Sequence, residues 1–284
     1  MIALGAVGAT LLALLAGAGC PASAAQPDVP PRIVSINPSL TSILIALGAG
    51  ESLVGVDDYS ARQQPEVADL PRVGGLHDTS LEAVAELQPD LVVLVPSVEQ
   101  RDLRTGLDTL GIAHREFAPI EFEEVLDTIL ALGEIVSREA AASERVAEIR
   151  RTRRRIEAER RSAPLRGVLV ITRDPLFVVG PGSFIDEMLS SAGVENLGRS
   201  LVGTYPRASL EWLVAEAPEL ILDADGDAAG AVRFWSRWPS LPAVRSGRVV
   251  SIPQEVATLP GPHLDRGLEL LARSVRGDPP ETSP

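Results

Sequence analysis

SLEAVAELQPDLVVL at residues 80–94 and SLEWLVAEAPELILD at residues 209–223 write the same helix-to-strand unit twice, without a gap between the copies. In each copy a serine, Ser80 or Ser209, suits the N-cap of a helix, which puts Glu82 and Glu211 at the second helical position. A carboxylate there favours the positive end of the helix dipole by typically about 0.3–1 kcal/mol, which accounts for either glutamate taken alone. Their pairing suggests more. One glutamate exposed at matching places on two lobes presents two negative points to a partner with two-fold or pseudo-two-fold symmetry.

The repeat extends outward from these stretches. SINPSLTSILIALGAGESL precedes the first copy and GPGSFIDEMLSSAGVENL the second, each a loop, a helix, and a glycine followed by an acidic residue. RIVSI (residues 32–36), LVGVDD, LVVLV (91–95) and HREFA read as short strands separated by helical stretches such as LRTGLDTLG, and alternation of this kind points to a parallel α/β sheet. From Phe122 the pattern changes to helices. Phe122, Val125, Leu126, Ile129 and Leu130 mark one, and after Gly133 and Ser137 a second runs from about Arg138 to Arg161 with Val146, Ile149 and Ile156 near the helical period. At 1.5 Å per residue it is roughly 35 Å long, enough to cross the side of a domain. Its arginine cluster, interspersed with Glu148, Glu157 and Glu159, reads as a solvated, salt-bridged face. Beyond Pro164 the alternation resumes with GVLVIT, a hairpin-like FVVG, a helix from Phe184 to Ala192, ELILD and RVVSI.

The expected fold class is therefore α/β, with two Rossmann-like lobes of parallel sheet bridged by a single long helix. The chain divides into a signal segment (1–20), a flexible tether (21–31), an N-terminal lobe (32–137), the bridging helix (138–162), a C-terminal lobe (163–277) and a tail (278–284). With 284 residues, two domains of ordinary size can each bury a core. The net charge of -13 argues against a nucleic-acid partner, because an acidic surface repels a polyanion. MIALGAVGATLLALLAGAGC at residues 1–20 is uncharged, too short for a comfortable membrane span, and ends in the only cysteine of the chain. Gly17, Ala18 and Gly19 before Cys20 resemble a lipoprotein signal, which makes Cys20 the expected lipidation site and the membrane an expected partner through that anchor. With Cys20 used in this way, none is left for disulfides or thiolate metal sites.

The order RIVSINPSLTSILIALGAGESLVGVDDYS, LPRVGGLHDTSLEAVAELQPDLVVL, the long helix, SLEWLVAEAPELIL and WPSLPAVRSGRVVSI resembles the substrate-binding proteins of ABC importers for cobalamin, haem and ferric siderophores, from Arg32 to about Val275. That resemblance implies a class III periplasmic binding protein: a monomer without catalytic residues or catalytic cofactor that holds its ligand between two lobes and docks on the transmembrane dimer of an ABC permease. Glu82 and Glu211 match the glutamates with which cobalamin-binding members contact their permease. Pro38, Tyr59 and Tyr205 match positions lining the cobalamin cleft, Tyr205 in place of a tryptophan. Leu76 and Val95 depart from tryptophans of that pattern, and His263 stands where a basic residue is expected. A corrinoid is the expected ligand, with a ferric siderophore or haem as the rival.

Ligands of open parallel sheets sit beyond the carboxyl ends of the strands. The loops there supply Pro38, Ser39, Tyr59, Leu76, His77, Pro96, Arg173, Tyr205, Glu255 and His263 as ligand-binding candidates, the two tyrosines foremost because each offers a flat apolar face and a hydroxyl. Trp212, Trp235 and Trp238 are expected in the core. The histidines His77, His114 and His263 are scattered, which disfavours a zinc or manganese receptor. Asp57 with Asp58 reads as a strand-end turn rather than catalytic acids, and GPGS at 180–183 as a tight turn rather than a phosphate cradle, since it lacks the lysine of a P-loop.

Overall fold

The structure is a computed structural model that describes residues 31–98, 100–160 and 162–278, with the side chain of Ala257 left out. Cys20, the signal segment and most of the tether lie outside the described residues. The first lobe runs β1 (Ile33–Ile36), α1 (Pro38–Ala46), β2 (Leu53–Val56), α2 (Asp58–Gln63), α3 (Leu81–Glu86), β3 (Leu91–Leu94), α4 (Arg101–Leu110), β4 (His114–Glu116) and α5 (Phe122–Ile135). The long helix α6 (Glu139–Glu159) follows. The second lobe runs β5 (Leu165–Arg173), β6 (Leu176–Val178), α7 (Phe184–Ser191), β7 (Val194–Asn196), α8 (Leu210–Glu216), β8 (Leu220–Asp223), α9 (Ala228–Trp235), α10 (Pro242–Arg245), β9 (Val249–Ser251), α11 (Gln254–Thr258) and α12 (Leu264–Arg276).

The first sheet has the order β2-β1-β3-β4 and is parallel throughout. In the second, β5 pairs in parallel with β7 and β8, and β8 with β9, while β6 folds back antiparallel on β5 as the hairpin-like FVVG predicts. Parallel strands buried on both faces need near-continuous apolar runs, which IVSI and LILD supply: every residue of β1 and β8 is buried.

The duplication is exact enough to repeat individual bonds. The Arg32 backbone N–H donates to Asp90 and its guanidinium to the Leu87 carbonyl. One hundred and thirty-odd residues on, the Arg166 N–H donates to Glu219 and its guanidinium to the Glu216 carbonyl. The helices between end alike, on left-handed Gln88 (φ 47°) and Ala217 (φ 49°). Their entries match too: Gly74 and Gly203, six residues before the capping serines, have φ of 103° and 102°. A conformation so far into positive φ is open to glycine and strained for any other residue.

Helix α6 is shorter than the pattern of Arg138 to Arg161 suggests. Arg138 is its N-cap and Arg160 is already extended at ψ 153°, so 21 residues span about 31 Å. Gly133 does not end α5; it lies inside that helix, where a β-carbon would collide with that of Ala142, so the glycine lets α5 and α6 approach closely. Ser137 (φ 53°) makes the turn between them. Ile129 of α5, Ile149 of α6, Leu189 of α7 and Leu268 of α12 are fully buried members of one apolar cluster that passes through both lobes. Polar bonds reinforce the junction: Phe184 N–H donates to the Ile120 carbonyl at 2.7 Å, Phe122 N–H to Glu187 at 3.0 Å, and Arg153 pairs with Glu187 while stacking on Phe122.

Candidate ligand-binding cleft

A cavity of about 350 Å³ opens where the carboxyl ends of β1 to β4 meet the loop between α11 and α12. Asn37, Pro38 and Ser39 reach it from the start of α1, Tyr59 and Gln63 from α2, Leu76 from the loop before α3, Val95 and Pro96 from beyond β3, and Ala118 to Ile120 from beyond β4. Thr258, Leu259 and Pro260 close it from the second lobe. No described residue of this lining carries a charge.

Local bonds hold these groups in place. Asn37 caps α1 by accepting the Ser39 N–H at 2.9 Å, and Pro38 occupies the first helical position, where a missing N–H costs nothing. Gln64 fixes the Pro38 carbonyl and Gln100 that of Leu76. Beneath Tyr59 lies a buried polar network. Asp57 accepts the N–H groups of Tyr59 and Ser60 and the Ser60 hydroxyl, and Thr41 joins Ser60 to Ser35. Burial pushes the Asp57 carboxyl above the ordinary range, opposed by the bonds from Ser60 and Tyr59. Asp57 is thus the N-cap of α2, a structural acid rather than a reactive one. Tyr59 itself remains 43% exposed, with the Arg62 guanidinium 4.6 Å from its ring centroid.

Five of the ten candidates, Pro38, Ser39, Tyr59, Leu76 and Pro96, line this cavity. His77 is exposed beside Leu76, and Tyr205, 44% exposed, hydrogen-bonds with Ser183, which raises no wall of the cavity but adjoins the Phe184–Ile120 bridge at its edge. Burial lifts the Tyr205 hydroxyl above its usual value, against that bond. Counted back from the capping serines, Tyr205 and Leu76 occupy the same position in the two repeats. Glu255 lies exposed in the first turn of α11. His263 precedes α12, where partial desolvation and then Arg266 and Arg145 lower its pKa. Arg173 is engaged elsewhere: its guanidinium binds the buried Asp223 carboxylate at 2.9 and 3.0 Å, and that carboxylate also accepts the indole N–H of Trp235.

Asn37, Gln63 and the stretch 118–120 are lining residues that sequence reasoning missed. The rule that ligands sit beyond strand ends, applied to HREFA as it was to the other strands, would have reached 118–120. The GPGS turn carries its own anion. Asp186 in the first turn of α7 accepts from Gly182 N–H, Asn196 and Arg199, which leaves no room for a phosphate. Trp235 is fully buried against Phe234 and Trp238, and Trp212 and Trp238, though part-exposed, pack against the same apolar cluster. Among the described residues no group of three or more His, Cys, Asp or Glu is arranged to hold a metal ion, and no helix is long and apolar enough to cross a membrane.

Glu82 and Glu211 are both exposed at the second position of α3 and α8, behind serine caps that accept the N–H of Ala83 and Trp212. Its own backbone N–H, then the Ser209 hydroxyl, lower the Glu211 pKa. Residues 33–256 match the family model described as periplasmic binding protein. The chain belongs to that family. Members of it are substrate-binding transport proteins that work with ABC permeases, and the two lobes with one connecting helix make this the class III form. The chain is 29% identical over 257 residues, 88% of its own length and 81% of the relative's, to the uncharacterized ABC transporter substrate-binding lipoprotein YvrC of Bacillus subtilis. It is 25% identical over 244 residues (85% and 88% of the two chains) to a vitamin B12-binding protein of Vibrio cholerae. The crystal structure of a periplasmic heme binding protein from Pseudomonas aeruginosa superposes with a TM-score of 0.75 at 27% identity, covering 90% of this chain and 96% of that one.

Proposed function

We propose that this class III binding protein is exported, anchored to the membrane through a lipid on Cys20, and captures a corrinoid in the interlobe cleft for delivery to an ABC permease through Glu82 and Glu211. The observation that carries the choice of ligand is the uncharged lining of the cavity. Haem brings two carboxylates, and an anionic ferric chelate several charges; removing them from water without a cationic partner costs several kcal/mol per ion, on the order of the whole binding energy of a micromolar ligand. A corrinoid presents a broad apolar face fringed by neutral amides. Such a rim matches Asn37, Ser39, Gln63 and Thr258 as donors and acceptors around Pro38, Leu76, Val95 and Ile120. The vitamin B12-binding relatives agree with this reading.

The same lining also suits an uncharged ferric chelate, which is the second reading. Calorimetric titration of the purified chain with cyanocobalamin, cobinamide, haem, a neutral hydroxamate chelate and an anionic catecholate chelate separates them. Corrinoids are expected to bind most tightly. Tighter binding of haem or the catecholate, lost on Arg62→Ala, would transfer the assignment to an anionic ligand held at the rim.

A further inference from the structure

We propose that Arg145, on the bridging helix, is a positioning residue for the cleft: it holds the wall that, among the described residues, the second lobe gives the cavity. That wall is the segment 258–260, and the loop continues through Gly261 and Pro262 into α12. The Leu259 N–H donates to the Glu255 carbonyl at 3.0 Å at the end of α11, but Pro260 and Pro262 have no N–H, so beyond Leu259 the loop has little means of tying itself down by backbone bonds. Among the described residues, Arg145 is the side chain that hydrogen-bonds the backbone of 259–263, donating from Nε to the Pro262 carbonyl at 2.6 Å. The rest of its guanidinium is fixed as well, Nη2 in an ion pair with Asp265 in the first turn of α12 and Nη1 with Glu148 on its own helix. Arg145 and Asp265 are largely buried, with side-chain exposures of 19% and 13%.

Two hydrogen bonds, to the Pro262 carbonyl and to Glu148, and an ion pair with Asp265 from one planar group fix direction as well as distance, which a lysine ammonium does not reproduce. Arg145 thereby makes the bridging helix part of the cavity's frame although it touches no part of the cavity. Gly261, next to the wall, faces the first lobe near the Ser39 carbonyl, 3.9 Å from where a β-carbon on it would stand. The inference rests on the cavity being the ligand site.

The test compares Arg145→Lys and Arg145→Met with Arg155→Met, which breaks the Arg155–Glu269 pair between the same two helices away from the loop. Amide hydrogen exchange over residues 256–264 is read without ligand, and the dissociation rate of cyanocobalamin by stopped flow. Both Arg145 variants are expected to exchange faster in that segment and to release cyanocobalamin about tenfold faster, the loss of one charge-assisted bond, while Arg155→Met leaves both readouts unchanged. Unchanged exchange in Arg145→Lys and Arg145→Met, or faster exchange with unchanged release, overturns the proposal. If the unaltered protein does not bind cyanocobalamin, the corrinoid assignment fails, and the exchange readout still decides whether Arg145 holds the wall.

Discussion

Tyr59→Ala tests the cleft where its contribution can be worked out beforehand. The side chain stands 43% exposed on α2 at the cavity edge, and a tyrosine presents about 200 Å², so roughly 90 Å² is available for a ligand to cover. At about 25 cal/mol per Å² this is ~2 kcal/mol, or a ~30-fold weaker Kd for cyanocobalamin on truncation to alanine. Tyr59→Phe retains the face and loses only the hydroxyl, so it should cost less than about 1 kcal/mol. Because the ring is already half in water, thermal stability should fall by no more than the ~0.5–1 kcal/mol of its contact with Arg62. Calorimetric titration and thermal unfolding on the three proteins give both numbers. A Tyr59→Ala protein that binds cyanocobalamin within twofold of the parent refutes the placement of the ligand on this face.

Changing Glu82 and Glu211 together to alanine should leave ligand affinity intact and weaken the complex with the permease by on the order of 100-fold or more, which undiminished uptake in cells would contradict. Asp57→Asn is a test of pH dependence. A carboxyl whose folded pKa is raised holds its proton more tightly in the folded state, so its contribution favours folding below the unfolded value and is lost as pH rises through the folded one. The asparagine variant should therefore gain stability relative to the parent as pH rises from 4 to 7 in urea unfolding, and a relative loss over that range would show that the carboxylate is stabilising instead. Free and ligand-bound small-angle scattering should agree to within about 1 Å in radius of gyration, since the lobes share one core; a larger compaction would reveal a hinge.

Much of the architecture was legible because the repeat fixes it. Ser80 and Ser209 read as caps and are caps, and LVVL and LILD read as strands and are strands. What the pattern did not carry were features decided between distant segments. Gly133 reads as a break, yet it serves close packing of α5 on α6, a contact that no local propensity encodes. Arg173 follows a strand and so reads as a cleft residue, but Asp223 at the end of the neighbouring strand captures it. Asn37 and Gln63 are ordinary cap and helix residues in sequence, and only the convergence of α1 and α2 makes them lining.

The shared core also limits how the ligand can enter and leave. Ile129, Ile149, Leu189 and Leu268 are each fully buried in the apolar cluster that runs through both lobes, and exposing one such side chain costs about 1.5–3 kcal/mol. A hinge wide enough to bare all four would therefore cost about as much as the entire binding energy of a micromolar to nanomolar ligand, so the ligand alone cannot drive it. Exchange must then proceed by smaller movements at the cavity mouth. The exposed Tyr59 and the loop at 260–262 lie outside that core, and beyond the Leu259–Glu255 backbone bond the loop is tethered by Arg145. On the proposed docking through Glu82 and Glu211, a permease need only strain this loop, not part the lobes, to loosen the ligand's hold.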